Sequence, residues 1–152
     1  RAPPVAADVP RIGVDLGGVL NRHNNDAGCW HSWHLSAGSE APGAMKALAQ
    51  IVNRFGAANV FIVSMARRAR AKESETWLRD VMEVERRTGF LWSNLHFCTE
   101  SSGEHGKGPL AKRLHLSHFV DDKDTNLMAV FEDEAGSARQ CIERHGGQLF
   151  HF

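Results

Sequence analysis

Neither sign of charge is in surplus along this 152-residue chain, where 18 lysines and arginines stand against 18 aspartates and glutamates. That balance excludes a sequence-wide field drawing the protein to nucleic acid or to an anionic membrane, so any anion binding has to be local. Long apolar runs are also missing, and none approaches the roughly 20 residues that cross a bilayer. Cysteine is scarce. Cys29, Cys98 and Cys141 are odd in number and far apart, which excludes a disulfide framework and reads as reduced thiols of an intracellular, cytoplasmic protein. No initiator Met opens the sequence, which leaves an upstream targeting segment undecided. There is no internal repeat and no second-domain boundary.

What is present is an ordinary globular composition, 42% hydrophobic and 24% charged, with enough chain for one domain and a real core. Residues 1–10 are rich in Ala and Pro and carry no helical or strand period. They read as a flexible tail or linker, and residues 11–152 as a single domain. Five β-type runs are expected at 11–16, 59–64, 95–99, 118–121 and 148–152. Between them Met45, Leu48, Ile51, Val52 and Phe55 repeat at helical spacing, with Pro42 near the start and Gly56 as the stop. A second helix is expected over about 67–88, with Trp77, Leu78, Val81 and Val84 on its apolar side and Gly89 ending it. A short third helix holds Leu110, Leu114 and Leu116. A fourth begins near Thr125 with Leu127, Val130 and Phe131, followed by a turn at Gly136 and a further helical segment. Alternating strands and helices imply a mainly parallel five-stranded sheet inside a three-layer α/β/α sandwich.

The chemistry sits at the ends of the strands. Ile12-Gly13-Val14-Asp15-Leu16-Gly17-Gly18 is an apolar run that ends in an acid followed by two glycines. A parallel strand delivers such a carboxylate to the sheet's carboxyl edge, where open α/β folds bind ligands, and Gly18 lets the backbone approach one closely. Val60-Phe61-Ile62-Val63-Ser64 and His118-Phe119-Val120-Asp121-Asp122 end on the same edge, and Lys107 starts the helix leading into the last of these strands. Three converging carboxylates repel one another unless a lysine and a hard divalent cation relieve them. Mg²⁺ held by one or two carboxylates plus a phosphate is the usual arrangement. A serine hydroxyl, backbone N–H groups and a lysine are what a phosphoryl group needs around its oxygens. Phosphoryl chemistry through an aspartyl-phosphate on Asp15 follows.

The order Asp15-Leu16-Gly17-Gly18-Val19, Ser64, Lys107, then Val120-Asp121-Asp122-Lys123-Asp124-Thr125-Asn126 resembles the four motifs of the haloacid dehalogenase-like (HAD) superfamily. The resemblance runs from about residue 11 to the last strand. It implies a Rossmann-like fold and Mg²⁺-dependent hydrolysis of phosphate monoesters. Asp15 would be nucleophile and metal ligand, and the Gly17 carbonyl a second ligand. Ser64 and Lys107 would hold the phosphate, Asp122 would bind Mg²⁺, and Asp121 would support it directly or through water. Family phosphatases usually carry a second Asp two positions after the nucleophile as general acid and base, and this chain has Gly17 there. Asn21, His23 and Asp26 lie just downstream as candidates to replace it. The gaps at 20–42 and 99–107, where the family places cap domains, are too short for one. A capless crevice implies bulky or macromolecular phosphorylated substrates, or closure by a partner subunit in a homo-oligomer. The departure at Gly17 carries a second expectation, a catalytically weak domain that binds a phosphorylated ligand or a protein partner.

Other readings of the same residues are weaker. The 12–18 segment also resembles the phosphate loop of sugar kinases with the actin-like ATPase fold, but Val19 stands where those need Thr and the chain is too short for two lobes. The segment at 103–107 brushes a P-loop pattern, yet Gly108 replaces the Ser or Thr that would hold Mg²⁺. Cys29, His31 and His34, with His23, match no familiar zinc spacing. Trp30 and Trp33 either pack their loop onto the sheet or touch substrate. Arg67, Arg68 and Arg70 crowd a helix start, where cations are disfavoured unless an anion is near. Arg67 is therefore a candidate for anionic substrate groups beside a plain solvated face. Asp121 and Asp122 could merely cap a helix, but two acids at a strand end opposite Asp15 favour metal.

Overall fold

The computed structural model describes residues 9–22, 35, 39–100, 104–123, 126–127 and 149–151. Most of the fourth expected helix, the first eight residues and the loop holding Cys29, Trp30, Trp33 and the three histidines lie outside them. The chain is α/β, with a parallel sheet compatible with a Rossmann-like fold. Strands β1 (Ile12–Val14), β2 (Val60–Met65), β3 (Leu95–Cys98) and β4 (His118–Asp121) are ordered β3-β2-β1-β4, and β5 (Leu149–His151) pairs along β4. Every pairing is parallel, with Val14 opposite Ile62 on one side and Val120 on the other.

Period-two alternation sorts the strand residues onto two faces. Ile12, Val14, Val60, Ile62 and Val120 pack with Met45, Leu48 and Val52 of helix α1 (Ala44–Phe55), and with Trp77, Leu78, Val84 and Phe90. Phe61, Val63 and Phe119 point the other way, against Leu110 and Ala111 of α4 (Lys107–Arg113), Leu116 and Leu127. Gly13 faces that second layer, and a Cβ there would lie 2.6 Å from Leu116 Cδ1 and 2.9 Å from the Phe119 ring. Only a residue without a side chain fits the central strand at that point.

The expected helix over 67–88 is not continuous. Helix α2 (Arg68–Thr76) opens into a π-wound turn over Trp77–Val81, closed by the Met82 amide donating to the Trp77 carbonyl at 2.8 Å. Glu83 then takes a left-handed conformation at φ 48°, and α3 (Val84–Thr88) runs on to Gly89 at φ 77°. The wider turn shifts the register of the apolar face. Val81, expected on that face, is 39% exposed, and Met82 is buried in its stead. The third helix likewise ends at Arg113, and Leu116 reaches the core from a turn in which His115 has φ 53°.

This winding positions the site. From β1 the chain steps outward through β2 to β3, then returns across the sheet to lay β4 on the other side of β1. Strand order therefore reverses between β1 and β4, and the crevice beyond their carboxyl ends is where open α/β sheets take ligands.

Candidate active site

Asp15 follows β1 directly, and its amide donates to the Val120 carbonyl at 2.9 Å, tying the strand end to β4. Its side chain is buried. Burial, opposed by Lys107 and reinforced by the nearby Asp121 carboxylate, pushes its pKa from 3.8 up to about 6. Asp121 ends β4 with no exposure at all, and Asp122 beside it is half-buried. Oxygens from Asp15, Asp121 and Asp122 all lie within 4.8 Å of one another, a grouping that could hold a metal ion.

Lys107 is the cation that belongs to this cluster. It is the first residue of α4 and only 1% exposed. Its ammonium lies 3.0 Å from Asp15 Oδ1 and 2.5 Å from Asp121 Oδ2, and 5.6 Å from the centre of the Phe119 ring. Burial disfavours its charge, but Asp15 and Asp121 together outweigh that and raise its pKa above the ordinary value. One ammonium facing three carboxylates leaves the cluster anionic, and that chemistry suits a further hard cation with oxygen ligands. The second oxygen of Asp121 accepts from the Lys123 amide at 2.9 Å and from Asn126 Nδ2 at 3.1 Å. Asp121 thus spends three of a carboxylate's roughly four acceptor positions on protein donors.

The turn after Asp15 is built on Leu16, whose carbonyl accepts from the amides of Leu20 at 2.9 Å and Asn21 at 3.1 Å. Gly18 sits at φ 79°, a region L-residues avoid, and donates its amide to the buried Asn21 side chain at 3.1 Å. Asn21, one of the three residues expected to stand in for an acid at Gly17, braces this turn through its Oδ1. Ser64 is buried in β2, two residues beyond the partner of Val14, at the same carboxyl edge. Among the described residues no hydrogen bond joins the Ser64 side chain to the Asp15 cluster. Arg67 precedes α2 and is exposed. Gly17 is half-buried in the turn.

The structure thus brings together Asp15, Lys107, Asp121 and Asp122. His23 and Asp26 lie outside the described residues. Trp77 is core, 1% exposed. Arg70 pairs with Glu73 at 3.8 Å. Cys98 is buried at the end of β3, with its thiol toward the Ser64 carbonyl at 3.6 Å, and burial raises its pKa. Sequence reasoning assigned no role to Asn126, although it closes the quoted 120–126 motif. No family model matches the chain, and no curated protein matches it.

Proposed function

We propose that the chain is a small HAD-like hydrolase, without a cap domain, that removes phosphate from monoesters with Mg²⁺. The observation that supports this most is the buried Asp15–Lys107–Asp121 triad with Asp122 beside it, at the crevice where strand order reverses. In this reading a carboxylate oxygen of Asp15 attacks phosphorus in line with the ester oxygen. The bond to the alcohol breaks, the alkoxide leaves with a proton from solvent, and an aspartyl-phosphate forms. Water then attacks phosphorus, releasing inorganic phosphate and restoring Asp15. Asp15, Asp122 and the Gly17 carbonyl would hold Mg²⁺, with Asp121 in support, and the ion would supply positive charge to the phosphoryl oxygens. Ser64 and Lys107 would orient those oxygens, with Gly18 shaping the turn beside them through its amide bond to Asn21, and Arg67 would meet anionic groups elsewhere on the substrate. The absence of a cap favours a bulky or macromolecular phosphoester.

Gly17 favours a second reading, because no acid follows Asp15 at the position where a leaving group is usually protonated. In that case the same site binds a phosphorylated ligand or partner and turns over slowly. Hydrolysis of an aryl phosphate, measured with Mg²⁺ and with chelator, tests both. The hydrolase reading expects Mg²⁺-dependent release of phosphate that disappears in Asp15→Asn. Equal rates in the wild type and Asp15→Asn overturn it, and binding of a phosphate mimic without turnover favours the second reading.

A further inference from the structure

Asp121 cannot direct its charge by itself. A carboxylate on a single bond rotates freely unless both its oxygens are claimed, and here they are claimed asymmetrically. Among the described residues Oδ2 meets the Lys107 ammonium alone, whereas Oδ1 is held by the Lys123 amide at 2.9 Å and by Asn126 Nδ2 at 3.1 Å. Asn126 is 4% exposed, and its own amide donates to the Lys123 carbonyl at 3.0 Å. Lys123 and Asn126 thus place a main-chain amide and a side-chain amide on one oxygen. That grip fixes the other oxygen on Lys107, whose ammonium bridges on to Asp15 at 3.0 Å.

We infer that Asn126 is a positioning residue, acting through Asp121 to hold Lys107 against Asp15. Its geometry is independent of the proposed hydrolysis, but its consequence for turnover rests on that reading. A neutral amide suits the role. It donates to Asp121 without competing for Lys107, whereas a carboxylate would repel Asp121 and a cation would draw it away from the lysine. Losing a hydrogen bond to a charged group typically weakens the arrangement about tenfold or more.

The test uses Asn126→Ala and the nearly isosteric Asn126→Asp, with Asn94→Ala as control. Asn94 also has a bonding role, part-buried, donating to the Ala57 and Val60 carbonyls at 3.1 and 3.0 Å near the amino end of β2, at the other end of the strand from the site. Hydrogen exchange of the Lys107 ammonium, read by NMR in the metal-free protein, should quicken about tenfold in Asn126→Ala and more in Asn126→Asp. It should stay at the wild-type rate in Asn94→Ala. With Mg²⁺ and an aryl phosphate, kcat should fall about tenfold in Asn126→Ala while KM moves less than about twofold. If Asn126→Ala does not fold, the isosteric Asn126→Asp carries the comparison. Exchange at the wild-type rate in a folded Asn126 variant, or equal acceleration in Asn94→Ala, overturns the assignment. A wild type that shows no turnover overturns the hydrolase reading alone, and the exchange rates then decide the positioning role.

Discussion

Lys107 is the residue on which the site's electrostatics turn. Without it two buried carboxylates face each other uncompensated, and breaking a buried pair from one side costs about 3–5 kcal/mol. Lys107→Met should therefore lower the unfolding free energy from urea titration by that margin, whereas the same change at the exposed Lys46 should shift it by less than about 0.5 kcal/mol. Gly17 makes the complementary prediction. On the proposed hydrolase reading, Gly17→Asp should raise the rate on alkyl phosphates about tenfold or more, using part of the ~10²–10⁴ open to acid–base catalysis, with little gain on aryl phosphates. Equal gains on both would show that leaving-group protonation is not limiting. The charged members of the site were legible in the sequence, because each sits where an apolar run stops or a helix starts. Asn21 and Asn126 were not legible in their roles. An amide that braces a turn or grips a carboxylate depends on how the backbone folds back, and no spacing or composition reports that.

At the scale of elements, the strands and α1 were readable from their periods, and the helix over 67–88 was readable only in part. Its apolar residues fit a continuous period, but burial of Trp77 together with Leu78 is met by a π-wound turn, which adds one residue and moves the inward face from Val81 to Met82. Pattern counting cannot see that insertion, because it conserves composition and changes only phase. The consequence is measurable. Met82→Ala should cost about 2–5 kcal/mol as a core truncation, while Val81→Ala should stay within about 0.5 kcal/mol as a surface change. An ordinary α-helical register would reverse the two, so paired denaturation curves decide between them. Gly13 was equally unreadable. The sequence reading gave it no role beyond membership of the strand run, and it serves packing between Leu116 and Phe119.

At the scale of the whole molecule, no described helix is long and apolar enough to cross a membrane, and the buried charge concentrates at one end of the sheet. That concentration should make folding stability depend on pH and on the cation together. In chelator, the Asp15 carboxyl has a pKa near about 6 in the folded protein against an ordinary 3.8, chiefly through burial. Between those values the folded state keeps a proton that the unfolded chain gives up. Stability from this group is thus full below the window and is lost as pH rises through it, by about 3 kcal/mol once pH passes 7. His96 and His118, whose pKa values burial lowers, act in the opposite sense and lose stability as pH falls below their unfolded value. The difference between the wild type and Asp15→Asn isolates the aspartate. That difference should shrink as pH falls from 7.5 to 4.5 in chelator, with Asp15→Asn the more stable protein at the upper end. If the site takes Mg²⁺ as proposed, the ion meets the ionised carboxylate in the folded state alone, so saturating Mg²⁺ should raise the wild-type melting temperature most at high pH and not at all in Asp15→Asn. A Mg²⁺ shift retained in full by Asp15→Asn would place the cation elsewhere. A pH slope identical in both proteins would assign the titration to another group.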